Sequence, residues 1–127
     1  MENIIVNNLN KIKIYEFMGY RECKLYYSKL MGLILELLKK HNYIEDYKEI
    51  SEGNIKYFIV RLNGKINNIG GIMPRFAVKK DDIYKYEQRF IPARNFGFVI
   101  ISTSKGLMTS KEAIANNVGG RLIAYVY

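Results

Sequence analysis

The residues of this chain best suited to act on a partner stand side by side at Ser102-Thr103-Ser104-Lys105-Gly106. A short hydroxyl side chain both donates and accepts hydrogen bonds. Three in a row suit the wide, shallow minor groove of an A-form helix, where ribose 2′-OH groups and base edges offer both kinds of partner. Lys105 supplies a charge for a neighbouring phosphate, and Gly106 lets backbone approach closely. By residue type alone the same cluster also reads as a plain polar turn. The charge balance lends the first reading support without deciding between the two: twenty Lys and Arg against twelve Asp and Glu leave +8 on 127 residues. Such an excess points to a polyanionic partner.

Catalytic alternatives are thin. One His and one Cys exclude a zinc cluster and a usable Cys-His pair. Ser104-Lys105-Gly106 is not a phosphate-binding P-loop, which requires Gly-Lys-Ser/Thr opening a helix. Asp81-Asp82 and Glu45-Asp46 have the composition of acid-base pairs or Mg²⁺ ligands, but solvated caps and strand edges account for them more simply. His41 falls at the end of a predicted helix as a packing or capping residue, and Cys23 reads as a small buried residue in a strand. The expectation is a protein that is not an enzyme, with no metal and no cofactor. A lone cysteine fits a reducing compartment. The N-terminus lacks a signal-peptide pattern, and the apolar stretch Leu30 to Leu38 is interrupted and too short to span a bilayer. A cytosolic, soluble chain with no membrane partner is therefore expected.

The elements that must position the hydroxyl cluster follow from periodicity. Phe98-Val99-Ile100-Ile101 predicts a buried strand that ends at the cluster. Leu107-Met108 returns to the core. Thr109 and Glu112 have capping-box spacing for a short helix over about 110–117. Asn117 and Gly119-Gly120 are expected to stop it in left-handed geometry, before a closing strand from Arg121 to Tyr127. Upstream, Ile5, Leu9, Ile12 and Tyr15 predict a helix over 2–18 that ends at Gly19. A strand over 21–27 follows. Ser28 then caps a second helix with Leu30, Leu33, Ile34, Leu37 and Leu38 facing inward, closed by Asn42. Tyr43 to Ile50 and Ile55 to Leu62 form a hairpin around a four-residue turn, 51–54. The Asn- and Gly-rich stretch 63–71 is the boundary between two lobes. Beyond it, Pro74 opens an extended run, and Asp81 or Asp82 caps a helix over about 82–89 with Ile83 and Tyr86 facing in. The fold class is α+β: an N-terminal lobe over 1–66, helix-strand-helix-hairpin, and a mostly antiparallel β lobe with short helices over 67–127. Most of the eleven Tyr and six Phe are assigned to core and strand packing.

Gly97, Ile100-Ile101, Ser102-Thr103, Gly106, Leu107-Met108 and Ala113 also fall at the spacings of a known signature. The segments Arg21-Glu22-Cys23, Ser28-Lys29-Leu30, His41 to Ile44, Gly64 to Asn67, Pro74-Arg75-Phe76 and Ile91 to Arg94 continue the match, and the ending GGRLIAYVY completes it. Over nearly its full length the chain thus resembles the small-subunit ribosomal protein S-eight family, in its archaeal and eukaryotic branch. The resemblance implies two lobes sharing a mixed sheet. It also implies a primary rRNA-binding protein that grips a helix in the central domain of the small subunit and helps its assembly. The loop Ser102, Thr103, Ser104, Lys105 and Gly106 would enter a minor groove, with Gly119, Gly120 and Arg121 nearby. Lys29, Arg75 and Arg94 would meet backbone, and the N-terminal lobe a second rRNA helix. Expected partners are small-subunit rRNA and neighbouring ribosomal proteins, on cytoplasmic ribosomes, with the free chain monomeric. The alternative is a sequence-tolerant RNA-binding or RNA-chaperone module that uses a basic, Tyr-rich surface. A small enzyme acting on nucleotides rests only on the Asp pairs and the charge.

Overall fold

The computed structural model describes residues 4–73, 75–93 and 96–127. The chain divides into two compact units, Met1–Ile69 and Gly70–Tyr127.

In the first unit, α1 (Ile4–Phe17) buries Ile5, Asn8, Leu9 and Ile12 along one face. Tyr15, expected on that face, is half-buried. Gly19 ends the helix with φ +79°. Strand β1 (Glu22–Tyr26) alternates exposed and buried, so that Cys23 and Leu25 point inward. Ser28 caps α2 (Lys29–Lys40), its hydroxyl accepting from the Met31 amide at 3.0 Å. Asn42 closes that helix at φ +65°, and Tyr43 N donates back to the Leu38 carbonyl at 2.8 Å. The buried face of α2 is rotated from the one expected: Met31, Ile34, Leu35, Leu37 and Leu38 are buried, while Leu33 is exposed. Gly32 explains the choice. A β-carbon there would lie 3.3 Å from Phe58 Cζ, so the notch seats that ring and turns Met31 and Leu35 inward beside it.

β2 (Ile44–Glu52) and β3 (Ile55–Leu62) meet around a two-residue turn at Gly53-Asn54, tighter than the four residues expected. The sheet order is β1-β3-β2, both pairings antiparallel. Helix α1 lies against β1, and α2 against β2.

In the second unit the sheet order is β4-β8-β6-β7, with β5 pairing β8. Its strands are β4 (Ile69–Gly71), β5 (Ala77–Val78), β6 (Phe98–Thr103), β7 (Gly106–Thr109) and β8 (Gly120–Val126). A 3₁₀ turn (Lys80–Asp82) leads into α3 (Ile83–Phe90), and α4 (Ser110–Ala115) follows β7. Val99, Ile101, Met108, Ala113 and Leu122 form the centre of the core, with Ile83 and Ile91 packed on it. The capping box is present: Thr109 Oγ1 accepts from Glu112 N at 3.1 Å, and Glu112 Oε1 accepts from Thr109 N at 3.0 Å.

The α+β class holds, but the single mixed sheet does not. Among the described residues there are two sheets, of three and five strands, and the β1–β3, β2–β3, β5–β8, β6–β7 and β6–β8 pairings are antiparallel. The Asn63-Gly64 step separates them. Gly64 has φ +76°, and its amide donates to Glu16 Oε1 at 3.0 Å rather than to a strand. Two further expectations fail for local reasons. Asp82 precedes α3 in helical rather than extended backbone, and its side chain makes no cap bond. Of the three residues expected to stop α4 in left-handed geometry, only Asn117, at φ +61°, does so. Pro74 lies outside the described residues.

Candidate nucleic-acid interface

From Phe98 to Ile101, β6 is buried on both faces, and that burial holds the strand before it reaches the surface. Ser102 is the first exposed residue, and Thr103 is half-buried. Thr103 pairs with Gly106 across β6 and β7, so Ser104 and Lys105 alone make the turn. Thr103 locks it. Its hydroxyl donates to the Gly106 carbonyl at 2.8 Å and accepts from the Lys105 amide at 3.0 Å. Gly106, at φ +114°, supplies the backbone that lets β7 resume straight after the tip. The expected five-residue loop is therefore a tight hairpin. One hydroxyl is committed to the turn, while Ser102, Ser104 and Lys105 are exposed.

Ser102 has Leu107 beside it on β7 and Arg121 beside it on β8. Arg121 in turn stands opposite Ala77 on β5. Ser102, Arg121 and Ala77 are all exposed, which makes a strip across three strands at the root of the hairpin. Arg121 Nη1 donates to the Arg75 carbonyl at 2.8 Å, which fixes the guanidinium and leaves its other N–H groups for a partner. Among the described residues, neither Lys105 nor Arg121 pairs with a carboxylate.

Gly119 and Gly120 lie directly behind this strip. A β-carbon on Gly120 would overlap the Ser102 carbonyl oxygen, and one on Gly119 would sit 2.5 Å from the Val78 carbonyl oxygen. Their missing side chains let β8 close on its neighbours at the base of the hairpin. Lys29 is exposed at the start of α2, in the first unit. Arg94 lies outside the described residues.

A buried polar chain that the sequence reading did not find supports β6 from below. Glu87 is 8% exposed and accepts from the Ser110 hydroxyl at 2.5 Å. Ser110 Oγ accepts in turn from the Val99 amide at 3.2 Å. Lys111 Nζ lies 3.6 Å from the same Glu87 oxygen and donates to the Gly97 carbonyl at 3.2 Å. One signal for it was available: Glu87 stands four residues after Ile83 and four before Ile91, on the apolar side of its helix.

Three of the residues weighed for catalysis, His41, Cys23 and Asp46, have structural surroundings of their own. His41 ends α2, its amide donating to the Leu37 carbonyl at 3.1 Å. Cys23 is buried, and burial pushes its thiol pKa up to about 11, far from a reactive thiolate. The Tyr47 amide, and then Lys39, hold the Asp46 carboxyl below the usual range. Among the described residues, no group of three His, Cys, Asp or Glu could hold a metal ion, and no helix is long and apolar enough to cross a membrane.

The sequence pattern that defines ribosomal protein S8 matches residues 3–127. This chain belongs to the ribosomal protein S8 family. The family pattern spans both units, and the exposed hairpin lies inside it. It is a family of structural ribosomal proteins, not of enzymes. One curated member, the small ribosomal subunit protein uS8 of Caldivirga maquilingensis, is 39% identical over 128 residues. That alignment takes in 100% of this chain and 98% of the relative.

Proposed function

We propose that this chain is a structural constituent of the small ribosomal subunit, a primary binder of a helix in the central domain of its rRNA that helps the domain assemble. The observation that carries the reading is the β6–β7 hairpin: two exposed serines, and a lysine with no carboxylate partner among the described residues, held at the end of a strand buried on both faces. Ser102 and Ser104 meet 2′-OH groups and base edges in a minor groove, while Lys105 and Arg121 neutralise phosphates on either side. Gly106, Gly119 and Gly120 give the backbone its close approach, and Thr103 keeps the tip in shape. Arg75, Arg94 and Lys29 meet sugar-phosphate backbone further out. The C-terminal lobe thus carries the grip. Other exposed surface faces neighbouring ribosomal proteins in the cytoplasm, and the free chain is monomeric.

Titration of the purified protein with its rRNA helix and with a random duplex, over a range of salt, tests this. Lys105→Ala should lower the slope of log K against log salt by about one unit. Ser102→Ala and Ser104→Ala should each cost about 1 kcal/mol of discrimination between the two duplexes. If both serine variants bind both duplexes as the parent does, the hairpin is not the reading element. Equal affinity for unrelated single strands would instead favour a general RNA chaperone.

A further inference from the structure

The chain holds a single Asn-Gly step, Asn63-Gly64. It lies between the end of β3 at Leu62 and the start of β4 at Ile69, outside regular structure, with Asn63 half-buried and Gly64 exposed. Asparagine before glycine is the pairing most open to spontaneous loss of a side-chain amide, because no β-carbon shields the next backbone nitrogen. Nothing lies within 4 Å of the place a β-carbon would take on Gly64, so water has access to the step.

The groups such a reaction needs are the ones the fold engages. Gly64 N, the attacking atom, donates to Glu16 Oε1 of α1 at 3.0 Å. Ile66 N donates to Glu16 Oε2 at 3.3 Å, so the carboxylate spans two amides and leaves neither without losing a bond. The Asn63 side chain is pinned at both ends: Nδ2 donates to the Asn42 carbonyl at 3.2 Å, and Oδ1 accepts from Lys65 N at 3.1 Å. A carboxylate beside Gly64 N also opposes the negative charge that grows there as its proton leaves.

We propose that Asn63 is a latent modification site, which converts to isoaspartate when the Glu16 clasp opens, the clasp setting the rate. Gly64 N loses its proton and bonds to Asn63 Cγ. The Cγ–Nδ2 bond breaks, and ammonia leaves with that proton. Water then opens the cyclic imide. Attack at the former main-chain carbonyl routes the backbone through Cγ as isoaspartate, and attack at Cγ gives ordinary aspartate. Isoaspartate has no donor for the Asn42 carbonyl and lengthens the main chain by one atom, which carries the Gly64 amide away from Glu16. Conversion therefore runs one way. It draws nothing from the RNA-binding reading, and none of its residues belongs to the hairpin.

The full chain is incubated at neutral pH, native and in urea, and the peptide containing Asn63 is followed by mass spectrometry and by isoaspartyl methyltransferase labelling. Native Glu16→Ala should convert about ten- to a hundredfold faster than the native parent, the rate equivalent of one hydrogen bond to a charged group. Glu16→Gln keeps one acceptor without the charge and should fall between the two. Asn67 and Asn68, in the same stretch, should keep their parent rates. A parental rate at Asn63 in Glu16→Ala refutes the clasp, and a slower one makes Glu16 a base that promotes attack, which also overturns it. A rise shared by Asn67 and Asn68 means general loosening, and the assignment to the Gly64 amide falls. Should Glu16→Ala not fold, the parent decides by itself: Asn63 must convert at least about tenfold faster in urea than in the native state, and equal rates refute the site.

Discussion

At the scale of single residues, small side chains matter here for what they leave room for. Gly120 is required because the Ser102 carbonyl occupies the space of a β-carbon, with Ile101 Cγ2 only 2.9 Å away. Gly120→Ala must therefore move backbone in β6 or β8, and should cost about 2–4 kcal/mol of stability in urea unfolding. Gly53→Ala provides the contrast. Its φ is +63° but nothing lies within 4 Å, so only local backbone strain of about 1 kcal/mol should appear. The Gly-Gly pair was legible in the sequence as a special position, but its reason was not. A glycine that turns the chain and one that admits a neighbour look the same until the neighbour is known.

At the scale of elements, polar residues join segments that hydrophobic periodicity places only roughly. Asn8 ties α1 to β1 through both polar groups of Tyr26. Asn8→Ala leaves a buried amide and carbonyl without partners, and should destabilise the chain by about 2–4 kcal/mol. Hydrogen exchange at the Tyr26 amide should rise by more than at strand amides elsewhere in the sheet. The apolar pattern was enough to predict α1, α2, the first hairpin and the buried β6, and the Thr109–Glu112 spacing was enough for the capping box. It did not settle which of two overlapping apolar stripes on α2 would turn inward, since Gly32 and Phe58 decide that from different elements. Nor did it separate Thr103 from Ser102 and Ser104. Three hydroxyls in a row are equivalent in sequence, and only the register of β6 with β7 assigns one of them to the turn.

At the scale of the whole molecule, the sequence conveyed a basic α+β chain, and the two separate sheets were its main surprise. Short-range spacing carries no record of which strands pair across a boundary. Cys23 contributes to the pH response of the fold. Burial raises the Cys23 thiol from its ordinary 9.0 to about 11, so the unfolded chain loses this proton first. Between those values the native state holds more protons than the unfolded state, and stability falls as pH rises. The contribution is intact below pH 9 and lost by pH 11, about 2–3 kcal/mol in all. Urea unfolding of the parent and of Cys23→Ala across that window should show the parent's advantage shrinking by this amount. A constant difference would mean the thiol is not shielded.

If the hairpin meets rRNA as proposed, the Ser104-Lys105 turn has a consequence for how a large RNA is sorted. A two-residue bend, latched by Thr103 and rooted in a strand with no slack, offers no give for accommodating an ill-shaped groove. All the yielding must come from the nucleic acid. In the proposed role the protein would act as a gauge that seats only on RNA already bent to its profile, which would make its arrival a checkpoint on folding as much as a contribution to it.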